Sequence, residues 1–259
     1  MAGNNVNDVE LLSDWLKDTS EPHEFEEPIL DDFVLQTLQF ASDKFDLDVH
    51  VFILSVCIIE QYLRKRENGS VCPIDEGLIL MAGLFISSKF IGGTNHLSSE
   101  DAVGFLESVT FRDYEIHMLM RSEEEILRVI NFSIPLATVA DHLGLLSQMY
   151  LERHKINMNL MPLCNHILQM LYVRRKKWYN ELKNLYSQDE ETIVAFRFLM
   201  INKFYIPAAV LLTCWHITEV KTIVDFNTAV NELQLITKIQ RDHLNLAAGV
   251  ILNLFEKKS

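Results

Sequence analysis

The stretch Met81-Ala82-Gly83-Leu84-Phe85-Ile86-Ser87-Ser88-Lys89-Phe90 has almost no polar face. A helix that is apolar nearly all round belongs inside a bundle, with other helices on every side. Ala82, Gly83, Ser87 and Ser88 are small enough to let those neighbours approach closely. Pro73 and Asp75 open the segment and Gly92-Gly93 closes it, so the spacing predicts a helix over Ile74–Phe90.

Working outward, Asp48 is a good N-cap for the run Val49–Arg66, and Asn68-Gly69 ends it. Upstream, Phe33, Leu35, Leu38, Phe40 and Ala41 suit a helix begun by Asp31 and Asp32, acids that favour its positive end. Downstream, Ser98-Ser99-Glu100-Asp101 starts a helix to about Ser108. Asp113 is expected to cap a last one through Ile130, and Asn131-Phe132-Ser133-Ile134-Pro135 breaks the chain. Five helices thus fill residues 29–136. Further helical patterns cover Thr138–Glu152, Leu160–Arg174, Glu190–Asn202, Pro207–His216, Phe226–Leu235 and Asp242–Phe255. Pro207-Ala208-Ala209-Val210-Leu211-Leu212 again is short, apolar and rich in small residues. The expected fold class is therefore all-α: two tandem five-helix units, 29–136 and 137–259, the second more degenerate.

Residues 1–28 differ. Asp8, Glu10, Asp14, Asp18, Glu21, Glu24, Glu26 and Glu27 face only Lys17, which reads as a mostly disordered acidic tail. Within it Val9, Leu12 and Leu16 share one helical stripe, with Trp15 nearby. That stripe suits either a partner or this protein's own core.

Composition excludes several classes of function. The chain has 259 residues, 49% of them hydrophobic, ample for a buried core. Its formal net charge of −13 repels phosphate backbones, so direct nucleic-acid binding is disfavoured. Cys57, Cys72, Cys164 and Cys214 are scattered without CxxC pairing, as expected of buried free thiols in a reducing compartment. No apolar run reaches the roughly 18–20 residues a bilayer requires, and no signal peptide is recognisable, so cytosol or nucleus is expected, with no membrane. The nine His form no HExxH or zinc spacing, and GxxxxGK[ST], GxGxxG and GxSxG are absent. Glu123-Glu124-Glu125 reads as a solvated helical first turn. No catalytic residue, metal or cofactor is expected.

Several residues in order resemble the cyclin box. Ile58-Ile59-Glu60-Gln61-Tyr62-Leu63 looks like the family's second-helix signature, and Leu84–Phe90 like its central helix ending in Ser-Lys-aromatic. Glu123, Ile126, Leu127, Ile130 and Phe132 look like the fifth helix, and Tyr114 falls where cyclins often place an aromatic. Asp32-Phe33-Val34, Ile130–Ile134 with the following Pro and, in the second half, Leu233-Gln234-Leu235-Ile236-Thr237 resemble a divergent group of cyclin-like proteins of meiotic cells. That likeness implies a nuclear protein on meiotic chromosomes, acting in crossover formation through protein partners, a cyclin-dependent kinase bound atypically or recombination and ubiquitin-pathway proteins among them.

The departures are equally specific. Kinase-activating cyclins carry a Lys at the start of the central helix and a Glu just after its end; here the aligned positions are Asp75 (or Glu76) and Gly92. The family's first-helix Arg, partner of the second-helix acid, falls at Asp31, and the substrate-docking patch on that helix is not recognisable. The kinase-facing surface implied by the resemblance comprises Asp75, Glu76, Lys89, Gly92 and Leu106. Leu106 reads equally as a partner contact or as core, and Lys89 as a support for the helix end. Regulation of a cyclin-dependent kinase by direct activation is the alternative function. A DNA-bound, transcription-factor-like use of the fold is disfavoured by charge.

One basic cluster stands out: Arg174-Arg175-Lys176-Lys177, followed by Trp178 and Tyr179. It reads as a helix C-terminus where cations meet the negative dipole end, as a nuclear localisation signal, or as a nucleic-acid contact.

Overall fold

The computed structural model describes residues 27–67, 75–92, 96–156, 158–187, 189–218 and 224–256. The stripe at Val9–Leu16, and Asn68, Gly69, Cys72, Pro73 and Gly93, lie outside the described residues. Those described form twelve α-helices and no strand: α1 Asp32–Lys44, α2 Val49–Glu67, α3 Glu76–Ile91, α4 Ser99–Thr110, α5 Ile116–Val129, α6 Val139–His154, α7 Met161–Val173, α8 Arg175–Leu185, α9 Glu190–Ile201, α10 Tyr205–Ile217, α11 Phe226–Thr237 and α12 Arg241–Glu256. The chain divides into two compact units. One comprises Pro28–Asp141 together with Leu168–Lys176, and the other the remaining described residues.

In the first unit α3 is the centre, touched by α1, α2, α4 and α5. Leu78, Ile79 and every residue from Met81 to Ser88 are buried. The close approach expected of the small residues occurs at Gly83. A Cβ built there would lie 2.8 Å from Ile59 Cδ1 and closer still to Cγ1, so α2 rests on the bare glycine. The buried hydroxyls are satisfied within the helix: Ser87 Oγ donates to Gly83 O and Ser88 Oγ to Phe85 O, both at 2.9 Å. Ser88 Oγ also accepts from Leu97 N–H at 3.2 Å, fixing the chain that leads to α4.

The helix starts follow their caps. Asp31 accepts from Val34 N–H, Asp48 from His50 N–H and Ser98 from Asp101 N–H, all within 3.0 Å. The start of α5 differs from expectation. Asp113 lies in the extended segment 111–115, Glu115 occupies the N-cap without a side-chain bond, and the helix begins at Ile116. Glu123, Glu124 and Glu125 therefore sit in its second half rather than in a first turn, Glu123 paired with Lys89, and the exposed Glu124 and the half-buried Glu125 with Arg128. Gly92 caps α3 with φ −72°, a right-handed conformation open to any residue, its N–H donating to Ser88 O at 2.7 Å.

In the second unit α10 plays the central part. Tyr205 and Pro207 through Trp215 are buried, and α9, α11 and α12 pack on this helix. Pro207 is tolerated because it sits in the first turn, where an N–H has no intrahelical acceptor. The Trp215 indole donates to Val224 O at 3.2 Å. Cys164 and Cys214, fifty residues apart, meet with their sulfurs 3.2 Å apart and fully buried, and their mutual contact with burial pushes the Cys214 thiol upward. Cys57 is also a free thiol. Sequence periodicity missed α8, whose buried Trp178, Tyr179 and Leu182 form its only apolar face. Among the described residues no single helix is long and apolar enough to cross a membrane; α9 and α10 reach that measure only as a pair bent by 84°.

Candidate protein-interaction site

Asp75 reads first as a helix cap. Its Oδ1 accepts from Gly77 N–H at 2.9 Å and from the Tyr114 hydroxyl at 3.0 Å, and its Oδ2 accepts from Arg112 Nη1 at 2.9 Å. One carboxylate thus starts α3, anchors the buried Tyr114 and holds the chain before α5. Where the resemblance implies a lysine reaching outward, this protein has an acid engaged by groups of its own chain.

The other expected kinase-facing residues are spread differently. Glu76, next to Asp75, is exposed. Leu106 is 1% exposed and belongs to the core, with its Cδ2 only 2.9 Å from where a Cβ on Gly77 would stand. Lys89 lies at the far end of α3, paired with Glu123, its ammonium 4.2 Å from the Phe85 ring centroid. Gly92 only ends the helix. The structure therefore brings Asp75, Glu76 and Leu106 together near the start of α3 and leaves Lys89 and Gly92 at its end.

Beside Glu76 and Leu106 opens a groove of about 790 Å³ between α1, α3 and α4. Phe33 and Phe40 of α1 stand 78% and 59% exposed at its rim, opposite Val109 of α4, while Leu80, Phe105 and Leu106 lie deeper. The helical pattern of Phe33, Leu35, Leu38, Phe40 and Ala41 is divided in the structure: Leu35, Leu38, Ala41 and Ser42 are buried, and Phe33 and Phe40 are not. The groove occupies the first helix, where no docking patch was recognisable by motif. Its charged lining residues are Asp31 and Glu76, both acidic. It is an open apolar trough with a negative rim, chemically suited to hold side chains of another protein.

The wall of that groove at Ile29, Leu30 and Asp31 is held by Glu60. This carboxylate is 2% exposed. Its Oε1 accepts from the N–H groups of Ile29 at 2.9 Å and Leu30 at 3.4 Å, and its Oε2 from Arg175 Nη1 at 2.7 Å, with Arg64 at 3.6 Å. The cation that the resemblance places on the first helix is thus supplied from residue 175. Burial disfavours the Arg175 charge, but Glu60, Tyr172 and Cys57 raise its pKa overall, and the guanidinium lies 5.2 Å from the Tyr172 ring centroid. Burial in turn pushes the Cys57 thiol and the Tyr172 phenol up.

The basic run is accordingly divided. Arg174 lies between helices, its N–H donating to Met170 O at the end of α7, while Arg175, Lys176 and Lys177 form the first turn of α8. Three cations at a positive dipole end are unfavourable, and at Arg175 the offset is Glu60. Lys177 is exposed, and Arg174 and Lys176 are half-buried. Among the described residues no three His, Cys, Asp or Glu side chains gather as a metal-ligand set.

Comparison with known proteins agrees with this architecture. Residues 32–135 match the cyclin N-terminal domain family. A viral cyclin from herpesvirus saimiri superposes with a TM-score of 0.58 at 16% identity, over 97% of this chain and 99% of that one. No curated protein sequence matches. The central helix ringed by its neighbours, the buried second-helix acid and these two likenesses agree: the chain has the cyclin fold, and its residues 32–135 match the cyclin N-terminal domain family.

Proposed function

We propose that this protein is a non-catalytic, cyclin-like scaffold that works by binding other proteins, acting in the nucleus on meiotic chromosomes to promote crossover formation. The observation that carries the binding role is the apolar, acid-rimmed groove of α1, α3 and α4, with Phe33 and Phe40 presented at its edge. The meiotic assignment rests on the likeness of Asp32-Phe33-Val34, Ile130–Ile134 and Leu233–Thr237 to the divergent meiotic group that includes cyclin N-terminal domain-containing protein 1. Its partners are recombination or ubiquitin-pathway proteins, or a cyclin-dependent kinase bound in an atypical way.

Direct activation of a cyclin-dependent kinase is the competing reading, favoured by the fold. Against it stand Asp75, whose carboxylate is committed to Gly77, Tyr114 and Arg112, and Gly92, which has no side chain to offer. A reversed charge at a desolvated contact costs several kcal/mol. The purified full chain, titrated into purified cyclin-dependent kinases with a peptide substrate, is therefore expected to leave turnover at its basal rate. Stimulation comparable to that given by a conventional cyclin would establish the activator reading instead.

A further inference from the structure

Phe111 is an unusual residue in its place. It closes α4 with φ 56° and ψ 35°, the left-handed region that glycine enters freely and a bulky side chain rarely does. Nothing covers its ring, which at 93% is the most exposed large hydrophobic side chain among the described residues. Arg112 follows, its side chain 70% exposed and held only by the surface pair with Asp75. An aromatic ring and a guanidinium thus project side by side from a strained corner. The turn itself is held by the Phe111 N–H donating to Glu107 O at 3.0 Å, but the ring it presents has no cover within the molecule, which points to a use outside it.

The groove described above has the complementary character. It is apolar, open, and lined by Asp31 and Glu76 as its charged residues. It asks for an apolar side chain accompanied by a cation. The two features are also neighbours, because Val109 and Thr110, immediately before Phe111, line the groove. A single patch that carries both knob and hole is self-complementary, and a self-complementary patch closes as a twofold pair rather than an open chain.

We propose that two copies of this protein form a symmetric dimer in which Phe111 of each copy enters the α1–α3–α4 groove of the other, with Arg112 set against Asp31 and Glu76. The proposal goes beyond the scaffold reading and does not depend on the crossover assignment. A dimer of this kind occupies both grooves, so self-association and the capture of another protein there compete.

Sedimentation velocity of the full chain over a concentration series tests this. It is done at physiological salt, where repulsion between two copies of net charge −13 is screened beyond about 8 Å. A reversible monomer–dimer equilibrium is expected. Phe111→Gly removes the knob and relieves the backbone, so dimerisation should weaken about thirtyfold while the melting temperature holds or rises. Phe33→Asp, at the exposed rim, should weaken it similarly with the fold intact. Mixing the two variants should give a heterodimer tighter than either homodimer, because one intact Phe111 then meets one intact groove. A chain monomeric at every concentration, a dimer indifferent to Phe111→Gly, or a Phe111→Gly chain that melts lower would each overturn the proposal. A negative result here leaves the binding of other proteins to be judged by its own assay.

Discussion

Replacing Arg175 with Met is expected to destabilise the protein by about 3–5 kcal/mol, far more than a change within a surface basic run would. The reason is the charge left behind. Glu60 is almost wholly buried, and without the guanidinium 2.7 Å away its carboxylate keeps only the Ile29 and Leu30 N–H groups and the longer contact to Arg64. Glu60→Gln should also cost stability, since it strands a largely buried guanidinium. The double variant, Glu60→Gln with Arg175→Met, should lose clearly less than the sum of the two, the signature of a coupled pair. Urea denaturation of the four proteins measures this. Additive losses would mean that the pair is incidental. Lys177→Ala, at an exposed position in the same run, should change stability by no more than about 0.5 kcal/mol. If the run also addresses the protein to the nucleus, Arg175 is the member least free to be read.

The second large effect is expected at Gly83. An alanine there places its Cβ less than 3 Å from two carbons of Ile59, a residue with no exposed surface. Overpacking of this kind costs about 1–3 kcal/mol, whereas replacing a helical glycine returns at most about 1 kcal/mol. The close contact is with the inner Cγ1 as well as the terminal Cδ1, so repulsion wins and Gly83→Ala should be destabilising by about 1–2 kcal/mol. Gly104, in α4, provides the control. A Cβ there meets nothing within 4 Å, so Gly104→Ala should stabilise by about 0.5–1 kcal/mol. Opposite signs at two helical glycines in one domain, read from thermal or urea unfolding, would verify that α2 and α3 pack backbone to side chain. Like signs would contradict that packing.

These two sites also show what the sequence could convey. The central helix was legible because its apolar residues run unbroken around the helix and its small residues have no other use, and Gly83 then sits where the closest approach is required. The cap at Asp48 was legible, and so were helix starts near Asp31, Asp75 and Ser98, because a cap is a contact over two or three residues. The partner of Glu60 was not. Its acid could be found by resemblance, but the cation arrives from 115 residues away, and no local period announces a contact of that range. Helix α8 was hidden for a related reason: its cations at the front made the run look like the end of α7. Phe33 and Phe40 fit the helical pattern as well as the buried residues of α1 do, and only the placement of α3 and α4 leaves them at the rim of an open groove. Leu106 was ambiguous for the opposite reason, a large apolar residue that would suit either a partner or the interior, and the packing beside Gly77 puts it in the interior.

That last placement governs how the binding surface should be probed. A charge at Leu106 would break the core, and any loss of binding would be uninformative. Phe33 and Phe40 are exposed, so Phe33→Asp with Phe40→Asp alters the groove and spares the fold. The most direct measurement is a pull-down from meiotic tissue extract with the purified full chain and with this double variant, compared by quantitative mass spectrometry. The account predicts that the wild-type chain retains recombination or ubiquitin-pathway proteins, or a cyclin-dependent kinase, and that the double variant loses them while melting at the same temperature. The same proteins retained equally by both would contradict a function exercised through this groove.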